Sequence, residues 1–261
     1  MTNFVKSADG TQIAYDRLGS GPLVVLVSGM FSHRPAFQEE AEQLATRFTV
    51  LNYDRRGRGE SGDTPPYARE REVEDLASLI EAEAGSAMVY GRSSGAGLAL
   101  NAAASGLPIT RLVLFEPPYG PDDQDSKQAA RELAENVGAA ITQDRRADAI
   151  AIFLPATGLS QDMAEELSQD PAMQAMAPTM LYDFEVMGYA DQGAAIPSQA
   201  VQSIDIPTLL LAGEASPSFL RETASQIVRL LPDGELAVLR GADHDASAEV
   251  VGPVITEFFS R

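Results

Sequence analysis

Short continuous apolar runs alternate along this chain with stretches whose apolar residues recur every three or four positions. The first pattern predicts buried strands and the second amphipathic helices. Leu23–Ser28 and Phe48–Tyr53 are continuous apolar strands, and Pro35–Arg47 between them has helical periodicity. Arg69–Ala84 is a second helix, with Val73, Leu76, Ala77 and Ile80 on its apolar face. Strand Ala87–Tyr90 leads into a helix of small residues, Ser94–Ala104, and then into strand Arg111–Phe115. Ahead of all these, Phe4–Ser7 and Gln12–Arg17 flank Asp9-Gly10, a hairpin turn signal.

The rhythm changes after Phe115. From about Pro117 to Asp205 the pattern predicts no strand, only helical segments rich in Ala, Glu, Gln and Met. Breaks are expected at Gly138, Pro155, Gly158, Pro171, Pro178, Gly188 and Gly193. Strand Thr208–Ala212, helix Ser218–Leu231, strand Leu236–Leu239 and helix Ala246–Phe259 then restore the alternation. Strands separated by helices predict an α/β fold with a mostly parallel sheet. The middle block is far longer than the dozen or so residues one crossover needs. Residues 1–117 and 205–261 are therefore expected to form a core domain, and 118–204 a helical cap inserted in it.

Composition narrows the function classes. A chain of 261 residues can bury one large α/β core. No apolar run approaches the roughly 20 residues of a membrane span. The N-terminus lacks a basic patch followed by an apolar stretch, so a cytoplasmic location is expected. There is no cysteine, which removes thiol nucleophiles and thiolate metal sites. With two histidines in all, His33 and His244, a multi-histidine metal centre is not expected either, and no cofactor is implied. The 38 acidic against 19 basic residues leave a net charge of −19. That field repels nucleic acid and anionic membranes. The expected partner is a small, neutral, partly apolar substrate, and the chain is expected to act as a monomer or homodimer.

The chemistry gathers around Gly91-Arg92-Ser93-Ser94-Gly95. The pattern G-x-S-x-G is loose alone, but here it follows an apolar strand and opens a small-residue helix. That setting is what a nucleophile elbow requires. A serine hydroxyl needs a base within hydrogen-bond reach. His244, after the last strand, is the candidate, while His33 on an early loop reads as a pocket or surface residue.

These residues resemble the α/β-hydrolase superfamily along essentially the whole chain. Leu23–Gly29 looks like the strand leading into an oxyanion loop. Asp54-Arg55-Arg56-Gly57-Arg58-Gly59-Glu60-Ser61 resembles the family's arginine- and glycine-rich turn, and Gly241-Ala242-Asp243-His244 its approach to the catalytic histidine. The stretch Gly57–Gly62 also satisfies G-x-G-x-x-G, but it runs into Asp63-Thr64-Pro65-Pro66 rather than opening a helix, against dinucleotide binding. The resemblance implies an α/β-hydrolase fold with a cap after the sixth strand. It also implies a triad acid, commonly placed after the strand read as Thr208–Ala212. Ser216 stands there instead of the usual aspartate. Glu116, at the end of the preceding strand, is favoured over Glu214, because some members carry their acid at that point. Asp243 is too close to His244 in sequence to reach its ring.

The oxyanion donors expected are the backbone N–H groups of Ser94 and, by resemblance, Met30. Gly29, Phe31, His33, Phe153, Tyr182 and Met187 are candidate substrate-binding residues, with Leu154 and Met180 as further candidates for the wall. The activity implied is ester or lactone hydrolysis through an acyl-enzyme on Ser93. Carbon–carbon bond hydrolysis, perhydrolysis, a lyase or cyclase step, or a non-catalytic receptor built on the same scaffold remain alternatives.

Overall fold

A computed structural model describes residues 2–261. Eight strands form one sheet in the order β1-β2-β4-β3-β5-β6-β7-β8. They are β1 (Asn3–Lys6), β2 (Gln12–Gly19), β3 (Leu23–Val27), β4 (Thr49–Tyr53), β5 (Ala87–Arg92), β6 (Ile109–Phe115), β7 (Thr208–Gly213) and β8 (Gly234–Leu239). β1 and β2 form an antiparallel hairpin, β2 runs antiparallel to β4, and every later pairing is parallel. The hairpin turns at Asp9-Gly10 as expected. Gly10 adopts φ 93°, which glycine tolerates, and the Asp9 side chain accepts from the Thr11 N–H at 2.9 Å.

β3, β4 and β7 are buried at every position, as strands covered on both faces must be. On one face Val24, Leu26, Val50, Val113, Phe115 and Leu211 share a core with α1 (Gln38–Leu44) and the C-terminal helix Ala248–Phe259. The alternate residues Val25, Val27, Val89, Leu112 and Leu114 are equally buried and point to the other face. α2 (Arg69–Glu83) and α3 (Ser94–Ala104) contact each other, and α3 lies against β5 and β6. β8, at the edge, exposes Leu236 and Val238.

Several elements differ from the pattern. Pro35 starts a single 3-10 turn, Arg34–Phe37, before α1, so the expected helix Pro35–Arg47 is split. The buried face of α2 includes Glu72 and Asp75 beside Leu76, Leu79 and Ile80. These acids meet Arg55 and Arg56, whose side chains are fully buried. Arg55 donates to both carboxylate oxygens of Glu72 at 2.7 Å. Burial pushes the Glu72 carboxyl up, but the Arg55 guanidinium outweighs it and holds the group below the ordinary range. Replacing Glu72 with alanine strands a buried cation, and is expected to cost about 3–5 kcal/mol in urea unfolding. A loss below about 1 kcal/mol would show that the pair is not buried in solution.

The chain divides into two compact units, one running to Pro118 and resuming at Pro197, the other Tyr119–Ile196. The sequence boundaries at 117 and 205 therefore move. Helix Ser198–Gln202 belongs with the sheet unit, where it contacts α3 and helix Ser218–Leu230, with Val201 and Ile204 buried. The second unit is helical. Its ends meet where the Gly120 N–H donates to the Ala194 carbonyl at 2.8 Å. Asp123, Ser160 and Asp170 cap its helices with side-chain acceptors. Gly158, Gly188 and Gly193 take left-handed conformations at breaks. Gly138 does not break anything: it lies inside helix Gln124–Thr142 beside Leu181.

Candidate active site

The C-terminal ends of the central parallel strands carry the candidate chemistry. β5 ends in Gly91 and Arg92, and Ser93 follows with φ 56° and ψ −130° before α3 begins. A side chain at that φ is strained by about 1–3 kcal/mol and must be held by its surroundings. Ser93 N–H donates to the Phe115 carbonyl at 2.9 Å, and the Ser93 carbonyl accepts from the Ala96 N–H at 2.9 Å. The flanking glycines allow the approach. A Cβ on Gly91 would sit 2.5 Å from the Gly95 carbonyl oxygen and 2.7 Å from Ala96 Cα, and one on Gly95 2.5 Å from the Ser28 carbonyl oxygen.

Of the candidate acids, Glu116 is the one that meets the His244 ring. Glu116, the residue after β6, is completely buried and has φ 49°. Its Oε2 lies 2.6 Å from His244 Nδ1, and its Oε1 accepts from the Gly213 N–H at 2.7 Å. Burial pushes this carboxyl up, but the hydrogen bonds from His244 and Gly213 prevail and hold it below the ordinary value. An ionised Glu116 favours the imidazole tautomer with its proton on Nδ1, which leaves the Nε2 lone pair able to accept a proton. Glu214 is exposed and accepts from the Gly241 N–H at 2.9 Å, so it braces the turn before His244 rather than the ring. Asp243 turns back to the Asp245 N–H at 3.0 Å. Ser216 is buried beside Gly213.

Arg92 joins the end of β5 to the loop that carries His244. Its Nη2 donates to the Ala246 carbonyl and to Glu40, both at 2.9 Å. The guanidinium lies over the rings of Phe37 and Phe115 at 5.3 and 5.2 Å. The Phe115 ring is in turn 6.2 Å from the His244 ring. A charged residue in the variable position of a G-x-S-x-G motif gives no sign of this role in sequence.

The loop after β3 reaches the elbow. A Cβ on Gly29 would lie 3.0 Å from Ser93 Cβ and 3.6 Å from its Oγ. Met30 follows, half-buried, and Phe31 has φ 54°. Ser94 is the buried first residue of α3, at the positive end of the helix. His33 is half-buried and precedes the 3-10 turn, its carbonyl accepting from the Ala36 N–H. Phe153, Tyr182 and Met187 belong to the second unit. There Phe153 meets the Phe184 ring at 5.6 Å, Phe184 stacks on Tyr189, and Met187, Leu154 and Met180 are buried. The turn Gly57–Gly62 closes on itself through Gly57 N–H and the Gly62 carbonyl, and no helix starts before Arg69. No group of His, Asp or Glu among the described residues could hold a metal ion, and no described helix is long and apolar enough to cross a membrane.

The sequence model of the α/β-hydrolase family matches residues 24–251. The chain belongs to that family. Its fold is that of an α/β hydrolase, and it stands among the family's enzymes. The solved α/β hydrolase of Sphaerobacter thermophilus is 46% identical with a TM-score of 0.88, over 98% of this chain and all of that one. A thermophilic esterase from Thermogutta terrifontis, 23% identical with a TM-score of 0.72 over 100% of this chain and 98% of its own, shares the fold. Among curated proteins, a 2-(acetamidomethylene)succinate hydrolase of Mesorhizobium japonicum is 28% identical over 254 residues, 92% of this chain and 88% of that one.

Proposed function

We propose that this α/β hydrolase cleaves a carboxylic ester or lactone through an acyl-enzyme on Ser93. The reading is carried by the 2.6 Å pairing of buried Glu116 with His244, alongside a serine on a strained elbow. In this reading Ser93 Oγ attacks the carbonyl carbon while its proton passes to His244 Nε2. The carbonyl oxygen becomes an oxyanion facing the N–H groups of Met30 and Ser94. Collapse expels the alkoxide, which takes the proton from the imidazolium. Water, deprotonated by the same nitrogen, then releases the acid and restores Ser93. For a lactone the expelled alkoxide stays tethered to the acyl group until that second step.

The arginines of the sheet unit near the elbow support a neutral substrate. Arg34, Arg55, Arg58 and Arg92 are each engaged by carboxylates or carbonyls of the protein, and a net charge of −19 disfavours an anion. The test is a fluorophosphonate probe followed by peptide mass analysis. The expected adduct lies on Ser93 and disappears when the protein is unfolded first. A folded protein that gains no adduct would sink the proposal and favour a receptor.

A further inference from the structure

The turn from Asp54 to Glu60 grips the loop after β3 at three points. Arg55 Nη1 donates to the Ser28 carbonyl at 3.2 Å, and Arg58 Nη1 donates to the Gly29 carbonyl at 2.7 Å. The Asp54 carboxylate takes the Arg34 backbone N–H at 2.8 Å and its Nε at 2.9 Å. All three gripping residues are buried. They are fixed from behind, since Glu72 clamps Arg55 and the Glu60 N–H donates to Asp54 at 2.9 Å.

A trans peptide holds its carbonyl and its N–H on opposite sides. Among the described residues the cis bond is Pro65-Pro66, so the Gly29–Met30 peptide is trans. With the Gly29 carbonyl turned to a guanidinium, the Met30 N–H faces the other way, and Gly29 itself lies against Ser93. We infer that Arg58 is the positioning residue of the oxyanion hole: by holding the Gly29 carbonyl, it aims the Met30 N–H at the oxygen that turns negative when Ser93 attacks. The inference rests on the serine-hydrolase reading above. A charged donor on the carbonyl also polarises the peptide, which strengthens its N–H as a donor.

The neutral carbonyl of the bound substrate needs that N–H less than the oxyanion does, so the effect falls on kcat rather than KM. The experiment compares the parent, Arg58→Met and Arg58→Lys on p-nitrophenyl acetate. It records kcat, KM, the pH profile, the rate of fluorophosphonate labelling and thermal unfolding. Arg58→Met is expected to lower kcat and the labelling rate about 10- to 100-fold, with KM within about twofold and the pH midpoint unmoved. Arg58→Lys, which keeps a charged donor, recovers most of the loss. Should methionine prevent folding, Arg58→Gln takes its place with the same expected loss. A folded uncharged variant within about twofold of the parent overturns the inference. So does an equal loss in the lysine variant, a loss confined to KM, or a moved pH midpoint. If the parent itself never labels at Ser93, the serine-hydrolase reading falls and this inference with it; a reactive parent with an equally reactive variant removes this inference alone.

Discussion

Ser93→Gly is expected to hydrolyse p-nitrophenyl acetate about 10⁴- to 10⁶-fold more slowly than the parent and yet to unfold at a higher denaturant concentration. The first half follows from losing the only nucleophile in the reading, a loss that neither His244 nor the oxyanion donors can make good. The second follows from the backbone. Ser93 sits at φ 56°, ψ −130°, a conformation that costs a residue with a Cβ about 1–3 kcal/mol. Glycine adopts it without strain but loses about 0.5–1 kcal/mol of unfolded-chain entropy. The net gain expected is about 0.5–2 kcal/mol. Ser93→Ala is the control, because it removes the hydroxyl and keeps the Cβ. It is expected to match glycine in lost activity and the parent in stability. If alanine and glycine unfold together, the elbow is not strained in solution. If either retains more than about 1% of the parent kcat, Ser93 is not the nucleophile.

Much of the frame that positions this serine was legible before any coordinates. β3, β4 and β7 appear in the chain as mostly apolar runs because strands inside a sheet covered on both faces have no solvent face. The elbow was legible because two close approaches need glycine at two spaced positions. The buried charges were not. Periodicity assigns charged positions to solvent, so it gives α2 a face through Val73 and Ala77, whereas the protein buries Glu72 and Asp75. Periodicity does not place Arg55, Arg56 and Arg58 in the interior, yet all three are buried. One signal was available: three arginines in a glycine-rich turn precede a helix with acids three residues apart, on one face, at 72 and 75. Gly138 misled for the opposite reason. Glycine weakens a helix by only about 1 kcal/mol, and the long helix around it outweighs that. Periodicity alone does not separate Glu116 from Glu214, since both follow strands; the resemblance favours Glu116, and Glu116 is the one that contacts His244.

Glu116→Gln is expected to lower kcat about 10³- to 10⁴-fold, while Glu214→Gln leaves it within about twofold. The size of the first effect comes from how the carboxylate is held. Its Oε1 accepts from the Gly213 N–H and its Oε2 from His244 Nδ1. In the glutamine variant the amide oxygen keeps the Gly213 bond, since an amide nitrogen cannot accept from an N–H. The NH₂ then points at His244, forces Nδ1 to accept, and moves the ring proton to Nε2. A base already protonated there cannot take the serine proton. Glu214 holds only the Gly241 N–H at the surface. Stability adds an independent readout. The folded Glu116 carboxyl titrates below its unfolded value of about 4.3, so its ionised form stabilises the fold above that pH, and the contribution fades as pH falls through the lower, folded value. Glutamine lacks this contribution at every pH. The parent should therefore be the more stable protein at pH 7, and the gap should narrow by pH 3 in urea titrations. A gap of constant size would mean that Glu116 is not ionised in the folded protein, and a large kcat loss in Glu214→Gln would mean that the wrong acid has been paired with His244.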